Sequence, residues 1–253
     1  MRFAMLGSGS RGNATLIEAG GTRVLVDCGF NLGVTEARLQ RLGVEPGSIA
    51  AILVTHEHGD HLGGVARLAR RHGIEVWMTA GTCLAWGDRR TDQVRAFSPH
   101  EEWNIGELRV QPYPVPHDAR EPCQYVFGHR GLRVGMLSDA GAVTPYMRMM
   151  LSACDALMLE CNHDAAMLAG GPYPYSLKHR VGGGLGHLNN AQSAELLREV
   201  DCSRLQHLVL THLSETNNTP ELALAAARDA LQAAPGWLVC AHQDEGLGWR
   251  EVA

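Results

Sequence analysis

His56-Glu57-His58-Gly59-Asp60-His61 places three imidazoles and a carboxylate within six residues, directly after the apolar run Ala51-Ile52-Leu53-Val54. Side chains of this kind at this density form a metal site. A tight loop after a strand can aim His56 and His58 at one ion, and Asp60 and His61 at a second. Neutral imidazole and carboxylate donors suit Zn²⁺, with Mn²⁺ as the main alternative occupant. Further metal-competent side chains stand where other apolar runs stop. Asp27 ends Val24-Leu25-Val26, and His117 follows Tyr113-Pro114-Val115-Pro116. Asp139 follows Val134-Gly135-Met136-Leu137-Ser138, and His212 follows Leu208-Val209-Leu210-Thr211. Each alone is weak evidence; together they converge if the strands end on one edge of a sheet. His242 closes the run Leu238–Ala241 and is the fallback ligand should His212 not serve.

The elements that position these residues can be read from pattern. Strands are expected over 3–6, 14–18 and 22–27, the last two a hairpin across Ala19-Gly20-Gly21. Short strands are expected at 75–78, 93–97, 107–113, 123–129, 132–138, 156–160 and 208–211, with 238–241 as the last clear one. Helices are expected over 34–42, 62–71, 143–151, from Asn189 or Asn190 to about 199, and from Pro220 to near Pro235-Gly236. Strands with interleaved helices in two halves stack most simply as helix, sheet, sheet, helix. The chain of 253 residues is read as a single domain, 1–253.

Composition narrows the class. The formal charge of −5 gives no global field for nucleic acid, so phosphate binding has to be local. The seven cysteines lack a C-x-x-C pair, which points to reduced thiols in the cytoplasm. No signal peptide is recognisable, and no apolar run approaches the roughly 18 residues of a membrane span.

In their order, Asp27, His56-x-His58-x-Asp60-His61, His117, Asp139 and His212 resemble the motifs of the metallo-β-lactamase-fold hydrolases. The resemblance covers essentially the whole chain. It implies the α+β, αββα four-layer sandwich and two divalent ions. It implies His56, His58 and His117 on the first ion, Asp60, His61 and His212 on the second, and Asp139 bridging. Asp27 is then the residue that orients a ligand imidazole. The short run between Asp139 and His212 leaves no room for the large inserted domain of the long RNA-processing members. Several strings look like the YycJ/WalJ-type subgroup: Gly7-Ser8-Gly9-Ser10-x-Gly12-Asn13, Val115-Pro116-His117-Asp118-Ala119, Glu160-Cys161-Asn162-His163-Asp164, Tyr173–Arg180, Gly186-His187-Leu188-Asn189-Asn190 and Thr211–Asn218. That subgroup is associated with 5′→3′ exonuclease activity on DNA. The chain is also similar to a cyclic-phosphate phosphodiesterase, in which a histidine equivalent in order to His187 assists the leaving group.

Phosphodiester chemistry follows from the residues as well. Two ions roughly 3.5–4 Å apart can hold one hydroxide and bind a phosphate oxygen. The leaving alkoxide still needs a proton, and His187, beside Gly182-Gly183-Gly184, is the candidate donor. His187, Asp60 and Asp139 are therefore the candidate catalytic groups. Lys178, the only lysine, and Arg180 are candidate phosphate contacts, with His163 and Asn13 as further substrate-binding candidates. The expected partners are DNA ends or a small phosphodiester. A hydrolase of thioesters, lactones or β-lactams, and a non-catalytic metal-binding module, are the competing readings.

Overall fold

The computed structural model describes residues 1–87 and 94–253. In chain order the strands are β1 (Arg2–Gly7), β2 (Ala14–Ala19), β3 (Thr22–Val26), β4 (Ala51–Leu53), β5 (Glu75–Thr79), β6 (Val94–Phe97), β7 (Trp103–Ile105), β8 (Leu108–Pro114), β9 (Cys123–His129), β10 (Leu132–Leu137), β11 (Ala156–Glu160), β12 (His207–Thr211), β13 (Leu238–Cys240) and β14 (Leu247–Glu251). The helices are α1 (Leu32–Arg41), α2 (Gly59–Leu62), α3 (Val65–His72), α4 (Ala80–Trp86), α5 (Pro145–Leu151), α6 (Ala165–Gly170), α7 (Tyr175–Val181), α8 (Asn190–Glu199) and α9 (Pro220–Leu231).

Among the described residues the strands form two seven-stranded sheets, ordered β14-β1-β2-β3-β4-β5-β6 and β13-β12-β11-β10-β9-β8-β7. Each sheet is antiparallel in one half and parallel in the other; the parallel pairs run from β3 to β6 and from β10 to β13. Side-chain alternation along the strands sorts the core into layers. Val24 and Val26 meet Val134, Met136 and Met158 between the sheets. Leu25, one residue out of phase, faces Leu39 and Leu68 from α1 and α3. Leu137, Leu157 and Leu159 face α5, α8 and α9. Three apolar layers separate four structural layers, and this is the αββα sandwich the sequence pattern leads one to expect.

The helix expected over 62–71 is two pieces, α2 and α3, broken at Gly63-Gly64. The break has a packing cause, since a Cβ on Gly64 would lie 1.9 Å from the Phe30 carbonyl oxygen. The last strand is β14, which pairs antiparallel with β1, so residues 238–241 do not close the sheet set. The expected strand at 93–97 begins on residue 93, which lies outside the described residues. The final long helix stops at Leu231, where Gln232 takes φ 50°. Among the described residues, no helix is long and apolar enough to cross a membrane.

Candidate metal centre

The carboxyl ends of the parallel strands converge on one edge of the sandwich, the usual place for ligands in such sheets. Asp27 follows β3, Thr55 and His56 follow β4, Asp139 follows β10, and His212 follows β12. At three of these ends the backbone leaves the strand in the left-handed region: φ is 59° at Asp27, 53° at Asp139 and 55° at His212. Non-glycine residues adopt that conformation at a cost of about 1–3 kcal/mol each, so the surrounding fold has to impose it. Here it swings each side chain off its strand and across the sheet edge.

The three imidazoles of the first cluster face one another. His58 Nδ1 lies 3.1 Å from His56 Nε2 and 3.2 Å from His117 Nε2. On His56 and His117 the proton is assigned by what stands behind the ring. Thr55 Oγ1 donates to Asp27 Oδ2 at 2.8 Å, so it accepts from His56 Nδ1 at 3.0 Å, which leaves His56 Nε2 a bare lone pair. His117 Nδ1 donates to the Gly186 carbonyl at 3.0 Å, with the same result for its Nε2. Burial pushes His56 well below the usual imidazole range and His117 below it, so both rings are neutral. With one proton at most on His58 Nδ1, the two bare lone pairs 3.1 Å and 3.2 Å from it cannot both be satisfied within the cluster. They fit a cation, since tetrahedral ligands about 2.0–2.1 Å from one ion stand roughly 3.3–3.4 Å apart.

The second cluster is built around carboxylates. His61 Nδ1 donates to Asp27 Oδ2 at 2.8 Å, and its Nε2 faces Asp139 Oδ2 at 3.2 Å and Asp60 Oδ2 at 3.5 Å. His212 Nε2 lies 3.4 Å from Asp60 Oδ2 and 3.5 Å from Asp139 Oδ1. Burial opposes charge on both rings, but the Asp139 carboxylate against each reverses the outcome: His61 is raised well above its usual range and His212 up to about 9. Asp139 is buried too, yet His212 and His61 hold it well below the carboxylate range. Asp139 also groups with His56 and His61, so one carboxylate reaches both clusters. The donor set therefore fits divalent metal ions, and the cleft above it encloses about 370 Å³.

His187 stands at the cleft wall, its ring stacked on His212 with centroids 5.2 Å apart. Its Nδ1 donates to Glu160 Oε1 at 2.8 Å. Glu160 is fully buried, and its other oxygen accepts from the backbone N–H of Ala140 and Leu188, both at 3.1 Å. Burial lowers the His187 pKa, but Glu160 outweighs it and the imidazole is raised. Sequence reasoning did not single out Glu160. The available signal was a charged residue completing the apolar run Ala156-Leu157-Met158-Leu159, at the strand end next to those of Asp139 and His212.

The substrate-binding candidates fall in different places. Arg180 lines the metal cleft and donates from Nε to Asp118 Oδ2 at 2.5 Å, so an acid that sequence reasoning passed over accompanies the cation. Lys178 turns away: its Nζ donates to the Ala169 carbonyl at 2.6 Å and it lines a neighbouring cavity together with His163. Asn13 is buried beneath the second cluster. Its Oδ1 accepts from Gly9 N–H at 2.8 Å, and its Nδ2 lies 3.1 Å from His61 Nε2 and 3.4 Å from Asp60 Oδ2. His242 lines a separate cavity beside Glu215 and Asp244, and among the described residues the metal-competent groups do not include it.

The chain belongs to the beta-lactamase superfamily, whose domain matches residues 22–213, and it is a hydrolase of that superfamily. It is 34% identical over 236 residues to the exodeoxyribonuclease YycJ of Bacillus anthracis, covering 92% of this chain and 89% of that protein. It is 32% identical over 228 residues to the exodeoxyribonuclease WalJ of Streptococcus pneumoniae, with 88% and 85% covered. Among solved structures it superposes on the metallo-beta-lactamase fold protein YhfI from Bacillus subtilis with a TM-score of 0.74, at 15% identity and 99% coverage of both chains.

Proposed function

We propose that the chain is a dinuclear metal-dependent phosphodiesterase that removes nucleotides 5′→3′ from DNA ends. The observation that carries this reading is the His187–Glu160 pair set into the wall of the metal cleft. Divalent ions held by the two clusters would supply the Lewis acidity that activates water and neutralises phosphate oxygens; Zn²⁺ is the preferred occupant and Mn²⁺ the alternative. His56, His58 and His117 would hold one ion, Asp60, His61 and His212 the other, with Asp139 shared. Protonated His187, held by Glu160, is placed to deliver a proton to the leaving alkoxide. Asn13 serves the site by fixing the loop before β2 to Asp60 and His61, and Arg180 meets phosphate at the rim. The names of the two curated relatives support DNA as the substrate, and the seven free cysteines support reading the enzyme as cytoplasmic. The apolar layer shared between the two sheets supports reading residues 1–253 as a single domain.

Asp118 favours a second reading. It offsets the charge of Arg180 at the cleft, which suits a small cyclic or nucleotide-like diester as well as a polynucleotide. A substrate panel separates these readings from a carbonyl hydrolase. The metal-replete protein is offered a chromogenic phosphodiester, 5′-phosphorylated DNA, a thioester and a cephalosporin. Turnover of both phosphodiesters supports the proposal. Turnover of the thioester or cephalosporin alone replaces it.

A further inference from the structure

Helix α7 separates two cavities and presents a different face to each. Leu177, Arg180 and Val181 line the metal cleft. Tyr175, Lys178, His179 and Gly182 line a second cavity of about 560 Å³ on the other side. Those four positions follow the i, i+3, i+4, i+7 spacing of one helical face. The volume falls within the roughly 300–1,000 Å³ of small-ligand sites. Leu168 and Ala169 of α6 form an apolar wall, and His163 closes the floor. Gly182 brings the end of α7 close to that floor: a Cβ there would come 3.2 Å from Leu168 Cδ2.

Tyr175 is the unusual residue. The residue is 83% exposed, although a ring of this size gains more from burial than almost any other side chain. Its ring centroid lies 6.3 Å from that of His179, so two aromatic faces stand side by side at the cavity mouth. Lys178 lines the same wall, its Nζ donating to the Ala169 carbonyl. An aromatic platform beside an apolar slot is what a stacked nucleobase requires.

We propose that this cavity is a nucleobase subsite. It takes the base of the nucleotide that neighbours the scissile phosphate in a single-stranded polynucleotide, stacked on Tyr175 with its edge toward His163. The chain of the substrate crosses α7, with its phosphodiester in the metal cleft on one side and its base in the slot on the other. This rests on the phosphodiesterase reading of the metal centre and extends it to a substrate longer than one nucleotide.

The test uses the metal-replete full chain and two substrates. Methyl p-nitrophenyl phosphate carries no nucleobase and fills the metal cleft alone; a 5′-phosphorylated single-stranded oligonucleotide fills both sites. Tyr175→Ala should leave the small ester unchanged and raise KM for the oligonucleotide roughly five- to fiftyfold, with Tyr175→Trp restoring it. An abasic residue beside the scissile phosphate should cost wild-type protein a similar factor and cost Tyr175→Ala nothing further. Unchanged KM on the oligonucleotide, equal loss on both substrates, or an abasic penalty that persists in Tyr175→Ala would each overturn the subsite while the nuclease reading stands. Wild-type protein that turns over the small ester and no oligonucleotide would remove the nuclease reading, and the subsite with it.

Discussion

His187 Nδ1 lies 2.8 Å from Oε1 of Glu160, a carboxylate with no exposed surface and two backbone N–H donors on its other oxygen. Held by those two donors, the carboxylate fixes both the orientation of the ring and the nitrogen that carries its proton. It also favours the charged imidazolium, the form a general acid must start from. Glu160→Gln keeps the shape and removes the charge. We expect kcat on an oligonucleotide to fall by about 10²–10³, with far less loss on a p-nitrophenyl ester whose leaving group needs no proton. The sign of the pH effect is fixed. A general acid works below its pKa, and losing Glu160 lowers that pKa, so the alkaline limb of kcat moves to lower pH. Metal content should stay near normal; a drop parallel to activity would make Glu160 part of the metal cluster.

Asp27 serves both clusters from behind. Its Oδ2 accepts from His61 Nδ1 and from the Thr55 hydroxyl, and that hydroxyl in turn sets the proton on His56. Asp27→Asn should weaken metal binding by about 10–100-fold, read by competition with a chelating dye. Unaltered affinity would show that the two rings hold their tautomers without it.

The two clusters should load metal with different proton inventories. His56 and His117 are held neutral by burial, so an ion there displaces few protons. His61 is raised well above its usual range and His212 to about 9, so at neutral pH both carry protons until an ion displaces them. Lowering the pH should therefore weaken the second cluster more, roughly tenfold per pH unit for each proton displaced. Calorimetric titration in buffers of different ionisation enthalpy reads this directly. Equal proton release in both steps would contradict the assignment.

Much of the candidate site was legible because its metal-competent side chains lie close in sequence or at the ends of apolar strands. The H-x-H-x-D-H loop needs no tertiary information, and Asp27, Asp139 and His212 mark strand ends that buried β runs make visible. The left-handed turns that aim them do not show in composition, because Asp and His are ordinary residues there. Glu160 escaped because it reads as the polar end of a strand; its partners, Ala140 N–H, Leu188 N–H and His187, come from two other segments. Helices α4, α6 and α7 are too short to establish a period, and α7 sits behind Pro172 and Pro174 in a stretch that reads as a motif rather than a helix. Lys178 and Arg180 were paired by proximity in sequence, yet on α7 they fall on faces that open into different cavities.

That division separates their effects. Arg180→Ala should raise KM for an oligonucleotide, since a charge-assisted phosphate contact contributes about 1.5–3 kcal/mol, less the cost of parting from Asp118. It should also flatten the salt dependence of binding. Lys178→Ala should have the smaller effect, its ammonium being held by the Ala169 carbonyl. A larger loss for Lys178 would place the phosphate path across the second cavity.

The proposed 5′→3′ exonuclease activity is read most directly on a 5′-phosphorylated, 3′-labelled single-stranded DNA incubated with protein loaded with Zn²⁺ or Mn²⁺. Mononucleotides should be released stepwise from the 5′ end with the label retained to the last. Chelation and His58→Ala should each abolish release. Intact DNA in the presence of fully metal-loaded protein, or digestion that continues undiminished in chelator, would contradict the proposal.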